Sequence, residues 1–230
     1  MPFRSIVPGV YQLSLGSVNC FVLETDDGPL LIDTGLPEHA VRIQRAMKAA
    51  GWERPAHILL THCHPDHAGG ASYLRAESGA TTWAHPDDAR MIEDGVGLRP
   101  VHAAPGAING FLHKLISART SAAIPACVID RKVEDGHMLP GGLIAVHTPG
   151  HSAGHLSFLW LAKGLLVAGD VCSHLGWLRP SPVYEDYAQG LESLRKVGGL
   201  NFSLAVFGHG TPIRKHGTAR FQARFGQAKG

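Results

Sequence analysis

Residues 62 to 67 read His-Cys-His-Pro-Asp-His, which places four potential metal ligands in six positions directly after the apolar run His57 to Leu60. Few features narrow a fold so sharply, because a strand must end where these side chains can converge. Residues two apart on an extended segment point the same way, so His62 and His64 can present both imidazoles to one ion. Asp66 and His67 follow where the loop turns into a helix and reach a second ion beside the first. Gly69 and Gly70 are expected to remove bulk where backbone and metal come close. A single histidine is more often structural than a ligand, but a cluster at this spacing after one apolar strand reverses that expectation.

Three further loops each offer one candidate at the end of an apolar strand: His151 in TPGHSAGH, Asp170 in LLVAGD and His209 in VFGHG. Folds built on sheets put their sites at such strand ends. Taken alone, Asp170 would cap a turn and His209 would merely sit among glycines; beside the first cluster both read as ligands. Fifteen histidines against four cysteines point the same way, since imidazole is the commonest side-chain ligand. Cys20, Cys63, Cys127 and Cys172 are too scattered for a disulfide framework and are expected to be reduced thiols. Alternation turns Cys63 away from the face shared by His62 and His64. Cys172, two residues after Asp170, is less easily set aside. His85, His147, His155 and His174 are expected to be hydrogen-bonded structural histidines. Asp33 either closes a strand-to-helix turn or supports a ligand.

The N-terminal part predicts a hairpin-rich sheet: Val10 to Leu15, Cys20 to Thr25, a turn at Asp26-Asp27-Gly28, then Leu30 to Ile32. A helix follows from Pro37, with Val41, Ile43, Ala46, Met47 and Ala50 on one face and Gly51 past its end. Further strands are expected at Thr81 to Ala84, Leu143 to His147, Leu156 to Leu161, Leu165 to Ala168 and Leu204 to Phe207, and helices at Gly70 to Ser78 and Tyr187 to Val197. Between them, residues 86–124 read as a helical, lid-like insertion broken by glycine and proline. No linker or low-complexity run divides the chain, so residues 1–230 are expected to form one domain. A formal net charge of +2 gives no broad footprint for nucleic acid, and no apolar run approaches the ~20 residues of a membrane span. The expectation is a soluble, cytoplasmic protein with a small-molecule substrate.

The His62-Cys63-His64-Pro65-Asp66-His67 pattern, followed in order by His151, Asp170 and His209 and preceded by Leu31-Ile32-Asp33-Thr34-Gly35, resembles the metallo-β-lactamase superfamily. The resemblance implies an α+β fold, a four-layer αββα sandwich with the metals at one edge of the paired sheets. It also implies a ligand split: His62, His64 and His151 on the first ion, Asp66, His67 and His209 on the second, and Asp170 bridging. An aspartate at the VAGD position is similar to the glyoxalase II and lactonase-like branch, and favours ester, thioester or lactone hydrolysis over β-lactam hydrolysis.

Such a donor set suits two zinc ions and would also accept iron or manganese. Two ions ~3.5–4 Å apart lower the pKa of a shared water toward ~7, giving a bridging hydroxide that attacks the substrate carbonyl. Asp66 is the expected catalytic carboxylate, orienting that hydroxide or passing a proton. The alternatives within the superfamily are a mononuclear iron persulfide dioxygenase using His62, His151 and Asp170, and a phosphodiesterase. Glyoxalase II carries a further helical domain after its last histidine, whereas 21 residues follow His209 here. Substrate recognition is therefore expected from residues 86–124 and 172–182, through Phe111, Leu112, Trp177 and Leu178, with Arg179 as a cation for a carboxylate.

Overall fold

The computed structural model describes residues 2–118 and 121–226. Four strands open the chain: β1 (Arg4–Val7), β2 (Val10–Ser14), β3 (Asn19–Thr25) and β4 (Gly28–Ile32). Next come α1 (Ala40–Ala49), β5 (His57–Leu59), α2 (Pro65–Ala68), α3 (Ala71–Ser78), β6 (Thr81–Ala84), α4 (Pro86–Glu93), β7 (His102–Ala103) and α5 (Ala107–Ser117). The second half holds β8 (Arg131–Lys132), β9 (Met138–Leu139), β10 (Leu143–His147), β11 (Leu156–Trp160), β12 (Leu165–Val167), β13 (Cys172–His174), β14 (Leu178–Pro180) and β15 (Val183–Tyr184). It closes with α6 (Tyr187–Gly198), β16 (Leu204–Val206) and α7 (Gly217–Phe225).

Two sheets form the middle of the molecule, in the orders β1-β2-β3-β4-β5-β6-β8 and β16-β12-β11-β10-β9. Both faces of each are covered, and the alternation along single strands shows how. In β3 and β4, Cys20, Val22 and Leu31 face α1, α3 and α4, packing with Ile43, Met47, Leu74 and Ile92. The alternate residues Phe21, Leu23, Leu30 and Ile32 meet Leu156, Phe158, Leu165 and Val167 of the other sheet. The far face of that second sheet, through Leu159, Leu166 and Ala205, packs on Leu194, Val197 and Phe221 of α6 and α7. This is the αββα sandwich, and it explains why its central strands are apolar throughout rather than alternating: neither face meets water.

Strand direction sets the site. β4 and β5 are parallel, β12 and β16 are parallel, and β10 runs with β12 because each is antiparallel to β11. The C-terminal ends of β10, β12 and β16 therefore lie on one edge, as do those of β4 and β5 on their own sheet. The edges are joined where Leu156 N donates to Thr61 O at 2.7 Å and Asn19 donates to Phe207 O and Gly210 O at 3.1 and 3.0 Å.

The structure corrects several local expectations. The turn Pro37–His39 is 3₁₀, α1 begins only at Ala40, and Val41 and Ala50 are exposed, so the buried face is Ala40, Ile43, Ala46 and Met47. Within residues 86–124, the two-residue strand β7 pairs with β15, an element too short to leave a periodic signal. Strands β8, β9, β13, β14 and β15, of two or three residues, were not expected for the same reason, and the four-residue edge strand β1 was not expected either. Among the described residues, no helix is long and apolar enough to cross a membrane.

Candidate metal centre

All seven residues singled out in the sequence converge on the edge where the strands end. Their donor atoms fall into three groups, each within 4.8 Å: His62, His64 and His151; His62, His67 and Asp170; and Asp66, His67 and His209. Asp170 lies between the first and last of these. Its Oδ1 is 3.6 Å from His67 Nε2, and its Oδ2 is 3.6 Å from His151 Nε2 and 3.2 Å from His209 Nε2. Asp66 Oδ2 is 3.3 Å from His209 Nε2 and 3.7 Å from His67 Nε2.

Four of the five imidazoles are held by the far nitrogen. His151 Nδ1 donates to Val183 O at 2.9 Å and His209 Nδ1 to Ser17 O at 2.7 Å. His67 Nδ1 lies 2.9 Å from Asp33 Oδ2. The Thr61 hydroxyl donates to Asp33, so at 2.9 Å from His62 Nδ1 it accepts from that ring. Each of these bonds occupies Nδ1 as a donor and leaves Nε2 as the nitrogen aimed into the cluster. Asp33 thus supports ligands rather than only closing a turn; it does so with φ 59, a conformation sparsely populated outside glycine and held here by its bonds to Thr61.

The decisive observation is what these atoms lack. Nε2 of His62, His64, His67 and His151 and Oδ1 of Asp170 are buried with no hydrogen-bond partner. Buried polar atoms are normally paired, and this many in one cluster fit cations: imidazole and carboxylate are donors that transition metals accept. The electrostatics agree. Burial, then the neighbouring imidazoles, holds His62 well below the ordinary histidine range, and burial with His151 takes His64 down to about 3. Burial also disfavours a charge on His67, but Asp170, Asp66 and Asp33 outweigh it and lift that ring to about 9. Burial likewise opposes ionisation of Asp170, yet His209 and His67 hold its carboxyl well below the carboxylate range. His62 and His64 are therefore neutral beside anionic carboxylates, while the carboxylates favour a proton on His67 and His209 that a bound cation would displace.

Cys63 is buried among Leu60, Ala68, Ala89 and Ile124, on the helix side of the sheet and away from the cluster. Cys172 is buried with Val171, Leu178 and Phe207. His155 uses both nitrogens, Nδ1 with Thr148 Oγ1 and Nε2 accepting from Asp170 N, each at 2.8 Å, so it positions Asp170. His85 and His147 stack on each other at 4.0 Å. His174 Nδ1 donates to Thr211 O at 2.9 Å. Gly69 and Gly70 answer to a different neighbour than expected: a β-carbon at either would collide with backbone, Pro65 O and Pro37 at one and Thr34 O at the other. Their smallness packs the cluster loop onto residues 34–37. Sequence reading passed over Asp88, Arg99 and Glu185, a buried carboxylate with its guanidinium and a second carboxylate. Their only local signal was the pair Asp87-Asp88 in a helix's first turn, a common surface feature.

The sequence model of the metallo-β-lactamase superfamily matches residues 13–209. The chain belongs to the metallo-β-lactamase superfamily. Membership makes it a hydrolase-superfamily protein with a metal-binding His/Asp cluster. Among relatives of this superfamily member, the uncharacterized protein YobT of Bacillus subtilis is 29% identical over 227 residues, covering 89% of this chain and 90% of that protein. An atrochrysone carboxyl ACP thioesterase of Aspergillus fumigatus is 28% identical over 209 residues, covering 88% of this chain but 40% of the fungal protein. A Cronobacter sakazakii metallo-β-lactamase, a mutant described by its HARLDQ motif, superposes with a TM-score of 0.75 over 97% of this chain and 91% of its own, at 24% identity. At that identity the likeness establishes the fold alone.

Proposed function

We propose that this superfamily member is a two-metal hydrolase cleaving a small ester, thioester or lactone, and that zinc is the metal. The orphaned Nε2 and carboxylate atoms carry this reading. His62, His64 and His151 would hold one ion, Asp66, His67 and His209 the other, and Asp170, lying between the two groups, would serve both. Two ions so held supply Lewis acidity and a water acidic enough to attack at neutral pH.

The protein's own part is placement. Thr61, Asp33, Val183 and Ser17 fix the rings, and His155 fixes the Asp170 backbone. The cluster is open on the side of Asp66 and His209, whose side chains are 33% and 26% exposed while the other five ligand candidates are buried. Asp66, on that open side, is the carboxylate we assign to orienting the attacking water and taking its proton. Substrate enters there.

The rim beside His209 is apolar. His174 of β13 donates its backbone N–H to His209 O, and the β13–β14 hairpin rises from that point to an exposed tip at Leu175 and Trp177. Leu178 faces the opposite way into the core, so Trp177 and Arg179, not Leu178, are the hairpin's candidates for substrate contact. Helix α5 adds exposed Ile108 and Phe111 and is tied through β7 to β15, whose Val183 carbonyl holds His151. A moderately apolar acyl group fits these surfaces. The fungal relative named as an acyl-carrier thioesterase supports the thioester arm of the class.

Metal analysis joined to a substrate series tests the proposal. Protein purified without added metal should carry transition metal and hydrolyse an acyl-lactone, aryl ester or acyl thioester with a higher kcat/KM than lactoylglutathione. Asp66→Ala and His64→Ala should each lose most turnover while staying folded. Near wild-type turnover in both, with full metal loading, would overturn the assignment. Oxygen uptake with bound iron would replace it by persulfide oxidation, and a preference for the glutathione thioester would overturn the substrate reading.

A further inference from the structure

Asp88 lies in the first turn of α4, outside the cluster, and is fully buried. It makes four contacts with donors. Its Oδ2 accepts from Cys63 N at 3.0 Å and Ser152 Oγ at 2.6 Å, and its Oδ1 from Gly154 N at 3.1 Å and Arg99 Nη1 at 2.8 Å. Cys63 sits between His62 and His64, and Ser152 follows His151. One carboxylate therefore grips the chain beside all three histidines of the first group, drawn from loops on different sheets.

Arg99 carries the grip further. The same Nη1 lies 3.1 Å from Glu185 Oε1, and its Nη2 donates to Asp87 O. Glu185 Oε2 accepts from Ala153 N at 2.8 Å, and its backbone N–H reaches His151 O at 3.4 Å. The turn 151–154 is thus held by a carboxylate on each side with one guanidinium shared between them. Loop backbone has no ladder to hold it, so such anchors decide where its side chains stand. The group formed by Asp66, His67 and His209 receives none of these bonds.

We propose that Asp88, buttressed by Arg99 and Glu185, is the positioning residue that preorganises the His62, His64 and His151 site for its metal; this rests on the metal reading above. With four donors converging on it, an amide cannot substitute, because its NH₂ would confront a donor where the carboxylate accepts.

Zinc affinity, measured by chelator competition, tests this on the whole chain. Wild type should bind two equivalents. Asp88→Asn should weaken one of them by about 10–100-fold and leave the other within about threefold, the usual consequence of losing a ligand's support. Ser152→Ala, a milder change, should weaken the same equivalent several-fold, which covers the case in which Asp88→Asn does not fold. Asp130→Asn is the control for a merely structural carboxylate, since Asp130 is bound to Arg75 and Thr82 and touches none of the cluster; it should leave both equivalents unchanged. With cobalt(II) in place of zinc, the visible bands of one site should shift in Asp88→Asn. Wild-type affinities for both equivalents in Asp88→Asn and Ser152→Ala, or equal weakening of both in step with Asp130→Asn, would overturn the inference. A wild-type chain that binds no zinc would instead sink the metal reading itself.

Discussion

Gly208 shows how little room a single residue has beside the cluster. A β-carbon there would collide with Asp170 Oδ1 and His67 Cε1. Gly208→Ala should therefore displace Asp170 or His67 and lose most bound metal and turnover, while its far-ultraviolet circular dichroism stays that of the folded chain; full metal content in that variant would contradict the packing. Cys63 is the opposite case. Burial first, and Asp88 second, push its thiol well above the ordinary range, so it stays protonated among apolar neighbours. Cys63→Ser should keep metal and activity and cost about 1–3 kcal/mol in urea unfolding for the buried hydroxyl; loss of metal would show that its side chain reaches the cluster. Both residues flank ligands, yet alternation alone separated Cys63 from His62 and His64 in the sequence, whereas the constraint on Gly208 comes from Asp170 and His67, distant in sequence.

At the scale of elements, the apolar strands were legible because they are buried on both faces, and the strands β10 and β6 have the expected bounds. Helix α6 was also legible: it is capped by Asp186, whose side chain accepts from Gln189 N at 3.0 Å, and its apolar stripe meets the second sheet. Replacing Asp186 by Ala should cost about 1 kcal/mol of stability through the lost cap, seen as a lower urea midpoint with an unchanged slope; an unchanged midpoint would show that the cap is idle. Most of the elements that escaped were strands of two or three residues: β7, β8, β9, β13, β14 and β15. Two or three residues cannot display a period, and β7 and β15 exist only because each supplies the other's hydrogen bonds.

For the whole molecule, carboxylates paired with arginine make stability depend on acid. Burial opposes the charge of Asp88, but hydrogen bonds from Arg99 and Ser152 with the Arg99 charge hold its carboxyl below the ordinary range. The Arg75 hydrogen bond does the same for Asp130, an exposed residue, against a smaller cost of desolvation. A folded pKa below the unfolded one means that the stabilisation is present above the unfolded value, about 4, and is lost as pH falls through the folded value. Urea midpoints should therefore fall steeply below about pH 4. Asp130→Asn, which removes one such group far from the cluster, should make that fall shallower; an unchanged acid slope would show that Asp130 does not contribute to it.

The sequence by itself pointed to a metal site through residues 62–67 and the strand-end positions of His151, Asp170 and His209, and to the layered fold through the family resemblance these residues carry. Those signals are local: candidate ligands two apart just past a strand, a run buried on both faces, an acid or histidine at a strand end. Tertiary structure alone decided the rest. That Asp33 orients His67, that Asp88 binds the loops of two sheets, that Gly69 answers to Pro37, and that Leu178 points inward while Trp177 stays at the rim all depend on which segments the two sheets bring face to face. Hydrogen bonds between residues tens to hundreds of positions apart leave no periodicity in the chain, so only the packed molecule displays them.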